Sequence, residues 1–506
     1  MAYIIAEDKM QQTFLPNTID DYVGQQDPVR AYDAFVEALD LEGLGIPLEP
    51  YKAGAAEYHP KPMLKLLVYG YSYGGTRSSR KLERACYHNL SFMWLMNNLK
   101  PDYRTIARFR GEHKEGIKKV LKQCVQICLK LDLIEGNALF VDGSKFRANA
   151  SIGNTLSKDQ GEEYIKKSYK RIDKLIDECE QIDKDEDQKE SLVKLKKQIQ
   201  DKEKLIEKIR EVMYTLEKSD KKSVNSTDPE SVQANTRQGT HAVHNVQMTT
   251  DEKHGLIVHA ETVSQNNDLN QLNEQIAKSS QNLNKKPEVV CADAGYHSMQ
   301  NLEKVDKDIT LIVPSSKQAQ KENGRHPLKP FDKEQFQYDK DKDEYICPEG
   351  KRLKYRGNAF SSSRKKAYQA SGRECRNCHH FKICTKSKVG RQVVRLLEEE
   401  FKEHLDSLYQ SPRGQSIYKL RKEKCELVFG HMKRNLGAGQ FLLRGKLKAD
   451  AEVSLLSTCF NIARMITLIG IPKLILELSK LKSLGFFVNN SVKRLFYILN
   501  PDLCVV

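Results

Sequence analysis

Two short apolar runs, Ala138-Leu139-Phe140-Val141 and Val289-Val290-Cys291-Ala292, each end on an aspartate, Asp142 and Asp293, with Gly143 and Gly295 close behind. Continuous apolar runs of this length, bounded by turn signals, read as buried strands. A strand that stops at a carboxylate, with a glycine that lets the chain turn beside a bulky ligand, leaves its acid at the sheet edge. Taken singly, either aspartate is a turn or cap residue. The pair acquires chemical meaning only if a third acid joins it.

The surrounding chain supplies the rest of an α/β core. HAVHNVQMTTD, GLIVHAETV and DITLIVP read as further strands, the last placed one helix-length after Asp293, as in a βαβ unit. An apolar helix is expected from Ala451 to Leu468. The core is interrupted twice. Between 158 and 222, Ile165, Tyr169, Ile172, Ile176 and Cys179, then Leu192, Leu195, Ile199, Lys202, Ile206, Ile209, Met213 and Leu216, alternate steps of three and four, predicting an antiparallel helical hairpin. Its expected role is a structural spacer or dimer contact.

A cysteine-rich segment covers 341–390. Residues 1–135 are mostly helical, with N-cap candidates at Ser78, Asp102 and Thr105 and the basic residues Arg77, Arg80, Arg104 and Arg108. Short helices with such a face suit a DNA-binding domain, or equally a bundle with a solvated basic side. The predicted division is therefore 1–135, helical head; 136–157 and 223–340, first part of the core; 158–222, hairpin. It continues with 341–390, cysteine-rich insert; 391–470, C-terminal core helices; and 471–506, tail.

Composition narrows the partner. The 506 residues carry 83 lysines and arginines against 68 acids, a formal charge of +15, which favours a polyanion without naming it. The start MAYIIAEDKMQQ predicts no signal peptide, and no uninterrupted apolar stretch approaches membrane-span length. The expectation is a cytoplasmic, nucleoid-associated protein with no membrane partner. Its twelve cysteines then read as reduced thiols or metal ligands. Cys375 and Cys378, spaced C-x-x-C, with Cys384 and the upstream Cys347, suit a structural Cys₄ zinc site in which His379 or His380 replaces one thiolate as the alternative.

Phosphoryl transfer on DNA without an organic cofactor needs divalent cations, and hard cations such as Mg²⁺ or Mn²⁺ take oxygen ligands. The third acid is found in YKLRKEKCELVFGHMKRNLG. At 100° per residue, Glu426 and Lys433 fall about 20° apart on a helix, away from Cys425, Leu427, Val428 and Met432. Glu426 would serve the metal and Lys433 a DNA phosphate. Arg421 projects toward the apolar side, so it is buried against a partner or the helix begins after it.

These pieces together resemble the DDE transposases of bacterial insertion sequences, nearly end to end. YHPKPMLKLLVYGY, SSRKLE and PDYRTIARFR resemble the N-terminal DNA-binding region; FVDGSKFRANAS and CADAGY resemble the first and second catalytic strands. Tyr418, Arg421, Glu426 and Lys433 resemble the signature around the third acid, with one extra residue between arginine and glutamate. The resemblance implies an RNase H-like core, a mixed sheet flanked by helices. It implies Asp142, Asp293 and Glu426 as Mg²⁺ or Mn²⁺ ligands, and an enzyme that binds the inverted repeats of its own element, cleaves there and transfers strands into target DNA. A homodimer on double-stranded DNA is expected. Asp228 and Asp268 resemble family motifs too and are expected to be structural. The rival classes are a nuclease without strand transfer, a non-catalytic DNA-binding descendant, and an RNA-binding protein. The last lacks an aromatic-rich strand for base stacking.

Overall fold

The computed structural model describes residues 18–49, 57–182, 189–218, 222–236, 239–322, 331–359 and 364–483. The head contains α1 (Pro28–Glu37), α2 (Leu41–Leu44), α3 (Pro60–Ser72), α4 (Ser79–His88), α5 (Leu90–Leu95), α6 (Tyr103–Glu112) and α7 (Lys114–Lys130). Two of the expected caps start helices here. The Ser78 hydroxyl accepts from Lys81 N, and the Asp102 carboxylate accepts from the Arg104 and Thr105 amides at 2.7 and 2.9 Å.

The core begins with β1 (Ala138–Arg147) and is at once interrupted by β2 (Thr155–Leu156), α8 (Lys158–Ile182), α9 (Lys189–Glu217) and β3 (Val224–Asn225). The two-residue strands pair antiparallel and close the base of the helical hairpin. The main sheet then continues through β4 (Val232–Thr236), β5 (Gly239–Asp251), β6 (Ile257–Val263), α10 (Leu272–Leu283), β7 (Val289–Ala292), α11 (Met299–Leu302), β8 (Thr310–Ile312) and α12 (Ser316–Glu322). Its order is β4-β5-β1-β7-β8, with β6 also on β5. β1 runs antiparallel to β5 and parallel to β7, and β7 parallel to β8. This mixed sheet with helices on both faces is consistent with an RNase H-like core.

The cysteine-rich segment is larger than 341–390. β9 (Gln337–Asp339), β10 (Glu344–Ile346), β11 (Arg352–Asn358), β12 (Lys365–Ala370) and β13 (Gln392–Leu396) form a five-stranded antiparallel meander, with the short α13 (Gly372–Arg376) between its last two strands. Phe336, Tyr345, Leu353, Tyr368 and Val393 give it a small core of its own. The chain then returns through α14 (Glu399–Gln410), α15 (Pro412–Arg421), one π turn at Lys422–Glu426, α16 (Leu427–Arg434), α17 (Lys446–Ile469) and α18 (Ile471–Ser483).

The main sheet is buried on both faces, which is why its central strands read as continuous apolar runs. Ala138, Phe140, Val289, Cys291 and Ile312 meet Tyr409 and Cys425 of the α14–α16 layer, whereas Leu139, Val141, Val290 and Ala292 join the main core. That main core is shared with the head. α17 is long and apolar enough to cross a membrane by length and composition, yet it lies mostly buried, packed against α7, α3 and β6. The described residues of the head and of the segment 391–470 thus share one core, and the described part of the head is not packed as a separate unit. Its seam is sealed by a buried ion pair, Arg77 Nη1 to Glu452 Oε1 at 2.7 Å.

The hairpin seam differs from the expected one. It runs through Ile165, Ser168, Ile172, Leu175 and Cys179, leaving Tyr169 and Ile176 exposed, and Val212 is buried beside the half-buried Met213. The sequence offers two overlapping stripes at heptad spacing, and the chosen one brings Met213 against Gly161, where a Cβ would lie 2.3 Å from its sulfur.

Candidate active site

Asp142 does not end its strand. β1 continues five residues further, to Arg147, held by antiparallel pairing with β5 from Asp142↔Met248 to Arg147↔Val243. What ends at Asp142 is the pairing on the other side, because β7 pairs with β1 only as far as Val141↔Ala292. Between that point and Arg147, which bridges to Gln440, no named strand pairs with this flank of β1, at the carboxyl end of the parallel strands, where α/β sheets bind ligands. Asp293 follows β7 directly, caps a short 3₁₀ turn and accepts from Gly295 N at 2.7 Å. Since Phe140 pairs with Cys291, Asp142 and Asp293 lie at successive positions on one sheet face.

Gly143 therefore does not turn the chain. It lies in the strand, and a Cβ there would sit 2.6 Å from Gln247 Nε2 and 2.7 Å from Asp268 Oδ1. The residue is glycine because other side chains already occupy its place.

Glu426 arrives from the opposite layer at the end of the π turn, joined to the sheet by Arg421. The guanidinium donates to Asp142 Oδ2 at 3.1 Å and to Glu426 Oε1 at 3.0 Å. The one-residue excess between Arg421 and Glu426 is taken up by the π turn, which adds a residue to one helical turn without breaking the helix. Cys425 points into the sheet and meets Thr250 at 3.4 Å, and the Tyr418 ring packs edge-on against Tyr409 beneath Arg421. Arg421 is thus buried against a partner, the partner being Asp142.

Burial pushes the Asp142 carboxyl up to about 7, opposed by Arg421 and reinforced by Asp293. Burial also raises Asp293, again against Arg421. For Arg421 burial disfavours the charge, but Asp142, Tyr418 and Asp293 together outweigh it and the pKa rises. Two crowded carboxyls that do not ionise easily, with an all-oxygen donor set and a cation already drawn between Asp142 and Glu426, fit a divalent metal ion.

The other sequence-selected residues separate. Lys433 does not project to solvent with Glu426: its ammonium donates to Ser144 Oγ at 2.6 Å and to Lys145 O at 2.9 Å, bracing β1 beyond Asp142. Arg77 is buried, bonded to Glu452 and to the carbonyls of Gly437 and Gln440, so it is a structural residue and not part of a DNA-facing surface. Arg80, Arg104 and Arg108 are exposed on α4 and α6, with Arg80 and Arg104 over the Tyr103 ring. None of these three lines the acidic centre.

Cys347, Cys375, Cys378 and Cys384 line one small cavity with His380 and Arg391. Lys351 N donates to the Cys347 sulfur at 3.3 Å and Arg391 N to the Cys375 sulfur at 3.4 Å. Among the described residues, however, the three ligand atoms lying within 4.8 Å of one another belong to Glu349, His379 and His380. Sequence reasoning also set aside Asp268, which the fold carries to the acidic centre. The signal was its placement in NNDLNQ, in the polar loop that follows β6.

Two acids on one sheet face, with a glutamate brought near by the facing helix layer, form an oxygen-rich group suited to a hard divalent cation. Residues 346–466 match the family model described as transposase DDE domain, and residues 17–112 match that described as transposase domain (DUF772). Neither match spans half of the chain, and Asp142 and Asp293 lie outside both. No curated protein and no solved structure matches. Two stretches of the chain, one at each end of the fold, are thus similar to transposase domains, the C-terminal one to the DDE type.

Proposed function

We propose that this protein cuts DNA at the ends of its own insertion sequence and joins the freed 3′ ends to target DNA at one acidic centre. The carrying observation is the Arg421 bridge, which reaches across 279 residues of chain to Asp142 and also holds Glu426, beside Asp293. Asp142, Asp293 and Glu426 would hold Mg²⁺ or Mn²⁺. The metal, when bound, supplies the charge that activates an attacking oxygen and stabilises the leaving one. Arg421 offsets the mutual repulsion of the Asp142 and Glu426 carboxylates, and Lys433 braces β1 beyond Asp142.

Arg80, Arg104 and Arg108 are among the exposed basic residues of the head that would meet duplex DNA, and a homodimer on DNA would hold two ends at once. The four cysteines would hold a structural zinc ion, with backbone N–H groups on the Cys347 and Cys375 sulfurs fixing two of the thiols. Zinc content that disappears in Cys375→Ser and Cys378→Ser supports this site; unchanged content moves the metal to Glu349, His379 and His380.

The test is a duplex carrying the element end, incubated with protein and Mg²⁺. Asp142→Asn and Asp293→Asn should abolish nicking while retaining end binding. Nicking without joining, by wild-type protein supplied with target DNA, would favour a nuclease instead. Unimpaired nicking by both variants would remove the acids from the chemistry.

A further inference from the structure

Asp268 belongs to the loop between β6 and α10, where an aspartate ordinarily turns the chain by bonding a nearby backbone amide. Its carboxylate does something else. Oδ1 accepts from Asn245 Nδ2 at 2.7 Å and from Gln247 Nε2 at 2.6 Å, both on β5. These two amides are fully buried in the sheet. Gln247 is fixed in turn by the Tyr296 hydroxyl, which donates to its Oε1 at 2.5 Å. Three buried polar groups are therefore spent on orienting one half-exposed acid. Asn245 Oδ1, equally buried, has no hydrogen-bond partner, so this spot retains an acceptor that nothing in the described protein satisfies.

The two glycines that follow the catalytic aspartates fix where the Asp268 carboxylate sits. A Cβ on Gly143 would lie 2.7 Å from Oδ1, and a Cβ on Gly295 would lie 3.7 Å from Oδ2 and 2.9 Å from Asp293 Oδ1. The carboxylate is wedged between the backbones that follow Asp142 and Asp293. Lys145 is on the same strand face as Gly143; burial disfavours its charge and Asp268 favours it, but no hydrogen-bonded ion pair joins the two among the described residues, so the direct bonds to the acid are those of the β5 amides.

We propose that Asp268 is a fourth carboxylate of the metal-holding centre, presented beside Asp293 with Oδ1 tied to β5 and Oδ2 facing the site. This rests on the reading of Asp142, Asp293 and Glu426 as metal-holding acids. An acid oriented by two amide donors keeps one oxygen committed and offers the other, which suits a ligand that must neither rotate away nor collapse onto its neighbours.

The test uses Mn²⁺ titration of the full chain without DNA, followed by the electron paramagnetic resonance of free Mn²⁺. Asp268→Asn should weaken Mn²⁺ binding at least tenfold, on the scale of losing a partner of a metal site, while thermal unfolding stays at the wild-type temperature. If Asp268→Asn melts early, Asp268→Cys provides the second arm. Direct ligation then predicts cleavage lost in Mg²⁺ and restored in Mn²⁺, because the softer ion tolerates a thiolate, a signature that a purely structural role would not produce. Wild-type protein that binds no Mn²⁺ overturns the parent reading. Wild-type binding that is matched by Asp268→Asn, or Asp268→Cys without metal rescue, overturns this one alone.

Discussion

Arg77→Ala should unfold the protein more readily rather than loosen its grip on DNA. Arg77 lies at the seam between the head and α17, with its Nη1 on Glu452 and its Nη2 on the carbonyls of Gly437 and Gln440. Glu452 is completely buried. Removing one partner of a buried pair leaves an uncompensated charge and typically costs about 3–5 kcal/mol. The lower end applies here, because Glu452 still accepts from Leu442 N at 2.9 Å and Leu443 N at 3.2 Å. Arg110 also favours its charged form.

The loss depends on pH with a definite sign. Burial raises the Glu452 pKa, with Arg77 the first of the groups holding it down, so the variant's carboxyl rises further. A carboxyl whose folded pKa exceeds its unfolded one carries extra protons in the native state. Stability is therefore highest below the ordinary value of about 4.3 and falls as pH rises through the folded pKa. The deficit of Arg77→Ala should thus be smaller at pH 5 than at pH 8. Urea unfolding followed by circular dichroism at both pH values reads this directly, with Arg104→Ala as an exposed control expected within about 0.5 kcal/mol of wild type. An Arg77→Ala protein as stable as wild type but selectively defective in end binding would refute the structural role.

Three further outcomes follow. Metal must displace the proton held by Asp142, whose pKa is raised to about 7, so the half-saturating Mn²⁺ concentration for cleavage should fall as pH rises from 6 to 8, by up to about tenfold per unit below that pKa. Arg421→Ala removes the main charge that opposes this rise, and should move the transition to higher pH; a profile indifferent to both would contradict the electrostatic account. Gly143→Ala should abolish cleavage and lower stability by about 1–3 kcal/mol, since its Cβ would press on Gln247 and Asp268; full activity would mean that the pocket yields. Arg104→Ala with Arg108→Ala should weaken binding to all duplexes alike and reduce the salt slope by about two if both touch phosphate; a selective loss on end DNA in a gel shift would show base reading instead.

How much of this was legible in the sequence depended on the range of the interaction. Caps are local, so Ser78 and Asp102 could be read directly. The buried strands announced themselves because both faces are covered, leaving apolar runs with no alternation. The acids at Asp142 and Asp293 were visible for the same reason, each marking where such a run ends. The extent of β1 was not, because Gly143, Ser144 and Lys145 are polar or small for the sake of the site and resemble a loop. Arg77 looked like any basic residue of the head, since its partner Glu452 lies 375 residues away. Lys433 shares a helical face with Glu426 on an ideal wheel, but the wheel does not show that β1 passes beneath it. The hairpin offered two equivalent heptad stripes, and only close packing at Gly161 chooses between them. The meander was hidden by charge, its strands carrying lysine and arginine outward around a few tyrosines. The π turn appeared only as an irregular spacing, which the fold resolves into one wide helical turn.

The central claim is that Asp142, Asp293 and Glu426 hold the metal at which DNA is cut. Anomalous diffraction from crystals soaked in Mn²⁺ tests it most directly. The account predicts a manganese peak coordinated by Asp142 and Asp293, with Glu426 turned toward it and the Arg421 guanidinium withdrawn from the Asp142 carboxylate. A saturating soak that leaves Arg421 bridging Asp142 and Glu426, with manganese bound only elsewhere in the molecule, would contradict it.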